Sequence, residues 1–259
     1  MPKILADISP LLEETCVAYY WIGFLLADGS FNKLDRLRFR IKDSDHLKLF
    51  GKFINYKGKE KEGVSCMDHL LVPKLVEKFK ISHVKTYVPC SLDWIKDTDL
   101  LISLIVGFID GDGCINSLKR GDYQINIKCH SSWLNNLTFI GLIVSRLAGT
   151  PEIEAQISRG YALLSICNFQ TIKFLKNKVK ELSLPVLLRK WNRIDCTHSN
   201  RIEKAQKNLE LAKELLAQGF AKWEICEKLG IRQSTLSAMF KRKGVVTYKG
   251  RRTKTCSFL

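Results

Sequence analysis

Two aspartates stand in matched surroundings. Asp28 closes the run Trp21 Ile22 Gly23 Phe24 Leu25 Leu26 Ala27 Asp28 Gly29, and Asp112 closes Ile105 Val106 Gly107 Phe108 Ile109 Asp110 Gly111 Asp112 Gly113. Each run reads as the end of a helix with no polar face, which implies burial on all sides. Gly23 with Ala27, and Gly107 with Gly111, place small residues four apart on one stripe where another backbone can come close. If the two helices pack side by side and in parallel, Asp28 and Asp112 meet at the floor of one cleft. Carboxylates that close resist joint ionisation unless a divalent cation lies between them, and such oxygen ligands suit Mg²⁺. The chemistry indicated is a metal-dependent phosphoryl site. A single Asp-Gly pair would read as a helix stop, but two matched copies favour the site.

The elements that must carry these acids repeat in order. After the first helix, read from Glu13 to Ala27, come a strand from Ser30 to Lys33 and a turn at Leu34 and Asp35. Arg36 to Lys42 then alternates cation with hydrophobe, so a strand there puts four like charges on one face and Leu37, Phe39 and Ile41 on the other. Such a face is either solvated or faces phosphates and base edges; its single sign favours nucleic acid. An amphipathic helix follows from Asp45 to Ile54, with Ser44 as its expected N-cap. Then come a strand pair from Lys57 to Met67 and a helix from Val72 to Phe79, with Lys85 in the loop beyond. The second half runs from a helix starting near Asp97 to strands Gly113 to Ser117 and Tyr123 to Cys129. A helix from Trp133 to Leu147 follows, then strands Ile153 to Ser158 and Ala162 to Phe169, and a last helix from Ile172 to Leu182. Arg189 and Lys190 take the place of Lys85. Gly23 and Gly107 are 84 positions apart, and Lys42 and Lys128 are 86 apart, the mark of a duplication with drift.

Composition narrows the partner. The 259 residues include 42 basic and 26 acidic side chains, a net charge of +16 that points to a polyanion. The longest apolar runs, Cys16 to Ala27 and Leu100 to Ile109, are too short to span a membrane and lack an amphipathic basic face. The nine cysteines are odd in number with no Cys-x-x-Cys pair, so neither zinc nor a disulfide framework is indicated and they read as reduced packing residues. The five histidines share no spacing. With no basic and apolar leader between Met1 and Pro10, the expectation is a soluble intracellular protein. A mitochondrion or chloroplast would suit an organelle-encoded chain, and a bacterial or viral-host cytoplasm any other.

The two motifs, the duplication with its strand pairs, and the lysine after the last helix of each half resemble a two-repeat, monomeric LAGLIDADG homing endonuclease. The likeness covers roughly Glu13 to Asp195. It implies an α+β fold of two pseudo-symmetric αββαββα repeats, residues 1–96 and 97–199, whose saddle-shaped antiparallel sheets straddle the DNA major groove with the paired helices over the minor groove. It implies a long asymmetric double-stranded target cut on both strands, with two or three Mg²⁺ ions that Mn²⁺ or Ca²⁺ can replace. It makes Asp28 and Asp112 the metal-binding acids, the carbonyls of Ala27 and Gly111 adjacent ligands, and Lys85 and Lys190 the basic residues near the metals. DNA contacts are expected from Ser30, Asn32, Lys33, Arg36, Arg38, Arg40, Lys42, Lys57, Lys59 and Lys61 in the first half. In the second they are expected from Asn116, Lys119, Gln124, Asn126, Lys128, Gln156 and Ser158. Two positions depart from the pattern: Leu26 stands where an acid is frequent, while Asp110 keeps it, and no strand-end Gln marks the residue that organises the attacking water.

After Asp195 the character changes. Helices from Asn208 to Ala217, Lys222 to Leu229 and about Gln233 to Lys241, with Gly230 at the turn, fit a helix-turn-helix in residues 200–244. A plain three-helix bundle would give the same pattern, but basic residues outnumber acidic ones fourteen to five from Asn200 onward. On the DNA-binding reading Arg232, Gln233, Ser237 and Lys241 face the groove, and residues 245–259 form a basic tail. Two other functions compete. An intron maturase would present similar basic faces to intron RNA. A transcription regulator derived from the same fold would have lost the motif acids, and both are present.

Overall fold

The computed structural model describes residues 6–32, 36–58, 63–118, 122–195 and 201–242. Lys33, Lys59, Lys61, Lys119 and the tail from residue 245 lie outside them, as does the side chain of Asn32. The chain divides into two compact units, Met1–Cys196 and Thr197–Leu259, so the first expected repeat and all but the last three residues of the second fall within the first.

That unit opens with a 3-10 turn, Ser9–Leu12, and then α1, Cys16–Asp28. The helix starts three residues later than the apolar pattern suggests, because Thr15 caps it: its Oγ1 accepts from the Ala18 amide at 3.2 Å, leaving Glu13 and Glu14 outside. α1 passes directly into β1 (Gly29–Asn32), which pairs antiparallel with β2 (Arg36–Phe39). α2 (Ser44–Phe53) follows, and here Asp43 is the cap in place of Ser44, its Oδ1 accepting from the His46 amide at 3.2 Å. Of the strand pair expected from Lys57 to Met67, the described residues form β3 (Val64–Met67). Asn55 is left-handed with φ 49°, and the Tyr56 amide returns to the Gly51 carbonyl at 2.8 Å. The chain is still closing α2 there, and Lys57 sits in irregular backbone. β1-β2-β3 form one antiparallel sheet, and α3 (Leu71–Lys78) completes this half.

The second half begins with α4 (Thr98–Asp112), capped by Asp97 accepting from the amides of Asp99 and Leu100, both at 2.9 Å. It continues through β4 (Gly113–Ser117), β5 (Tyr123–His130), α5 (Leu134–Leu147), β6 (Gln156–Ser158) and β7 (Tyr161–Ile166). Two helices end it, α6 (Phe169–Glu181) and α7 (Leu188–Trp191). This sheet is antiparallel in the order β4-β5-β7-β6. The fold is thus α+β with two antiparallel sheets.

α1 and α4 pack on each other at the centre of one continuous core. Their remaining faces are also covered, which explains the missing polar stripe. Trp21 and Phe24 of α1 meet Phe39 of β2, with Trp21 also against Phe50 of α2, and Tyr19 meets Phe79. In the second half Phe108 stacks on Trp133 with centroids 5.0 Å apart. Fully burying each such aromatic ring contributes about 2 to 3 kcal/mol.

The unit Thr197–Leu259 contains α8 (Arg201–Ala217), α9 (Lys222–Leu229) and α10 (Gln233–Arg242), with α8 beginning earlier than the pattern suggests. Leu209, Ala212, Ile225, Leu236 and Phe240 form its separate core. Gly230, left-handed at φ 61°, ends α9. Among the described residues no helix is long and apolar enough to cross a membrane.

Candidate active site

Close approach of α1 and α4 sets the position of the acids. A Cβ on Gly23 would lie 1.9 Å from the Leu104 carbonyl oxygen, and one on Gly107 1.9 Å from that of Tyr20. The two contacts are reciprocal, and the one that follows them lies further along both helices, so the helices run parallel. At the last turn a Cβ on Gly111 would stand 2.2 Å from the Cβ of Ala27. Asp28 and Asp112 follow at these touching ends. Gly29 and Gly113 then turn into extended backbone at ψ 162° and 157°, so close to the preceding turn that a side chain would strike the Leu25 and Ile109 carbonyls.

Both acids reach solvent, yet burial of the surrounding protein raises both carboxyl pKa values. The charge of Asp28 raises Asp112 further, while Lys190 and Lys85 pull Asp28 down and Lys85, then Lys190, pull Asp112 down. Desolvation is thus the main obstacle to holding both carboxylates ionised, and a divalent cation beside them would offset it. With the carbonyls of Ala27 and Gly111 beside them the donor set is all oxygen, and it fits Mg²⁺ or its substitutes.

The lysines sit under the helix ends. Lys85 Nζ donates to the Leu26 and Ala27 carbonyls at 2.7 and 2.8 Å. Lys190 Nζ, in a residue only 8% exposed, donates to those of Ile109, Asp110 and Gly113 at 3.1, 2.5 and 2.6 Å. The last turn of a helix leaves carbonyls without donors, and a cation there is also favoured by the helix dipole. Burial lowers both ammonium pKa values; Asp112 and then Asp28 hold Lys85 up, and Asp110 and Asp28 hold Lys190 up against Arg189. Both lysines are therefore at the site, but engaged with backbone. The Ala27 carbonyl already accepts from Lys85.

Asp110 has a different task from Asp112. Its Oδ2 accepts from Tyr20 Oη and the Leu187 amide, and its Oδ1 from Trp191 Nε1, all at 2.8 Å. Burial nevertheless raises its pKa to about 6. The Tyr20 hydroxyl, its one proton committed to Asp110, lies 2.8 Å from His46 Nε2, so the imidazole N–H donates. Burial lowers the His46 pKa to about 4 and keeps it neutral. This network ties α1, α2, α4 and α7 together and fixes the segment that carries Lys190. Nothing in the sequence pattern marked it, because its members are far apart and the first motif has Leu26 at the matching position.

Two clefts flank the acids. The one of about 470 Å³ is lined in part by Ala27, Lys85, Asp112, Lys128, Cys129, His130 and Tyr161; the one of about 270 Å³ by Asp28, Arg40, Lys42, Asp43, Gly111 and Arg189. Arg189 Nε pairs with Asp43 at 3.2 Å, and Cys129 Sγ lies 3.8 Å from Asp112 Oδ2. Residue spacing signalled neither Asp43 nor Cys129. Arg40 and Lys42 fall just past β2, and their position beside Asp28 makes them neighbours of the site as well as of the sheet.

On the first sheet Ser30 and Arg38 are cross-strand partners on the outward face and Arg36 stands opposite Met67. On the second, Gln124, Asn126 and Lys128 face outward between buried Tyr123, Ile125, Ile127 and Cys129. Lys128 Nζ lies 4.1 Å from the Tyr161 ring centroid. Asn116 Oδ1 accepts from Cys114 at 3.1 Å, Ser158 pairs with Tyr161, and Gln156 is at the sheet edge. Lys57 is on neither sheet. In the other unit Arg232, Gln233, Ser237 and Lys241 are exposed, the last three four apart along α10 beside the stripe that buries Leu236 and Phe240.

No protein-family model matches the chain, and no curated protein matches it. Among solved structures, the meganuclease I-SmaMI bound to uncleavable DNA is similar at TM-score 0.44 and 13% identity, over 96% of this chain and 100% of that one. The LAGLIDADG homing endonuclease I-GzeII in complex with its DNA target is similar at TM-score 0.42 and 10% identity, over 88% and 98%. Full-length DUF199/WhiA from Thermatoga maritima is similar at TM-score 0.42 and 14% identity, over 89% and 90%.

Proposed function

We propose that this chain is a site-specific, metal-dependent DNA endonuclease of the LAGLIDADG homing type, monomeric, acting on both strands of a long asymmetric target. The observation that carries the reading is the parallel packing of α1 and α4 through Gly23 and Gly107, whose adjacent ends carry Asp28 and Asp112, each followed directly by the first strand of an antiparallel sheet. Phosphodiester hydrolysis needs an acidified water, neutralisation of the charge that grows on the non-bridging oxygens, and stabilisation of the leaving 3′ oxygen. Mg²⁺, when bound by Asp28 and Asp112 with the Ala27 and Gly111 carbonyls, would supply the Lewis acidity. Lys85 and Lys190 hold the helix ends and add positive potential at the floor, and Arg40, Lys42 and Arg189 extend it along the Asp28 side. The outward residues of the two sheets, cations on one and amides on the other, bind backbone and base edges. Arg232, just before α10, and Gln233, Ser237 and Lys241 on it form the exposed surface of a helix-turn-helix that lengthens the bound stretch of duplex on one side. Retention of both acids favours the nuclease over a regulator.

The test is incubation of the protein with a randomised duplex library, with Mg²⁺ and with chelator, beside a structured-RNA library. Metal-dependent breaks at one enriched sequence are expected. Retention of RNA without any duplex cleavage would replace this reading with the maturase.

A further inference from the structure

On β5 the two amide side chains that face outward are tied down in opposite senses. Asn126 Oδ1 accepts from the hydroxyl of Ser165, its cross-strand partner on β7, at 2.7 Å. Its oxygen is thereby drawn toward the neighbouring strand, and the –NH₂ is the end left to meet a ligand. Gln124 is held the other way: its Nε2 donates to Cys167 Sγ at 3.3 Å, leaving the carbonyl oxygen as its available end. An untethered amide can offer both ends to adenine and reads it bidentately. A tethered one offers mainly a donor or mainly an acceptor.

We infer that Ser165 and Cys167 are specificity-determining residues that fix the polarity with which Asn126 and Gln124 read the target; this rests on the DNA-binding reading proposed above. In the major groove guanine presents two acceptors and cytosine one donor. Asn126, offering N–H, favours guanine with its two acceptors over adenine or thymine with one, and rejects cytosine, on the strand it faces. Gln124, offering oxygen, selects an amino-bearing base, cytosine or adenine, and rejects guanine. Residues two apart on a strand are separated by about 6.8 Å, about two base-pair steps. The two opposite preferences therefore fall at positions about two pairs apart in one half of the site.

The experiment is enrichment of bound duplexes from a randomised library, scored by binding so that catalysis does not enter. Asn126→Ala and Gln124→Ala locate the pairs read, as the positions whose preference flattens. Wild type is expected to favour guanine over cytosine by about tenfold or more at the Asn126 pair. Ser165→Ala should admit adenine there, Ser165→Thr, which keeps the hydroxyl, should not, and Asn126→Asp should turn the preference to cytosine or adenine. Cys167→Ala should relax the rejection of guanine at the Gln124 pair. Cytosine favoured by wild type at the Asn126 pair, no pair responding to Asn126→Ala, or profiles unchanged by Ser165→Ala would overturn the inference while leaving the endonuclease reading intact. Failure of wild type to retain any duplex would instead overturn the DNA-binding reading itself.

Discussion

Asp28, Asp112 and Asp110 have the same side chain and three different fates. The first two could be read from the sequence, because each ends an apolar run at a small-residue stripe and the runs recur. The task of Asp110 could not, since Tyr20, His46, Leu187 and Trp191 gather around it from remote positions. This network makes a pH prediction. Asp110 has a folded pKa of about 6 against an ordinary 3.8, so the folded state holds its proton more tightly, and the stability this gives is lost as pH rises from about 4 to 6. His46, lowered from 6.5 to about 4, has the opposite sign: the unfolded chain takes the proton first, and stability is lost as pH falls from 6.5 to 4. The two slopes oppose each other in the wild type. Unfolding midpoints measured from pH 4 to 7 should therefore fall with rising pH in His46→Gln and rise with it in Asp110→Asn. Lys190→Met should cost about 3 kcal/mol or more in urea unfolding, because three helix-end carbonyls lose their donor. Lys85→Met, which frees two carbonyls at a less buried place, should cost less. Equal losses would mean that backbone capping is not what holds Lys190 in place.

Among the elements, the paired helices were legible because an apolar run without a polar face has to be buried, and glycines four from another small residue have to meet something close. The strands were legible where the period of two persists, as in β5. The pattern failed at Lys57, where left-handed Asn55 and the closing turn of α2 leave irregular backbone in place of the start of an expected strand. N-caps shifted by one residue, from Ser44 to Asp43, because either side chain satisfies the composition rule and geometry alone decides. The helix interface gives the sharpest stability test. Gly23→Ala and Gly107→Ala each place a methyl carbon 1.9 Å from a backbone oxygen of the other helix, and should cost at least about 3 kcal/mol in chemical unfolding, with loss of cleavage. Gly149→Ala meets nothing within 4 Å and is strained only by φ 63°, so it should cost about 1 kcal/mol. Similar values for the three would show that α1 and α4 do not depend on close approach.

At the scale of the molecule, the change of composition after Asp195 in the sequence corresponds to a division into two compact units. The proposed active-site residues all belong to Met1–Cys196, so on the proposed function a chain ending at Cys196 should keep metal-dependent cleavage at high enzyme concentration. It should bind duplex more weakly and with a flatter salt slope, by about one unit for every phosphate that the second unit neutralises in the full chain. An unchanged footprint and slope would make the second unit a protein-binding or structural bundle. The central claim is that Asp28 and Asp112 form one shared floor for both strand cuts, and it is tested most directly by strand-resolved cleavage of the selected duplex in Mg²⁺ by wild type, Asp28→Asn and Asp112→Asn. Each single variant is expected to bind the duplex about as well as wild type and to lose double-strand cleavage. Cutting of both strands at the wild-type rate by either variant would contradict the shared floor.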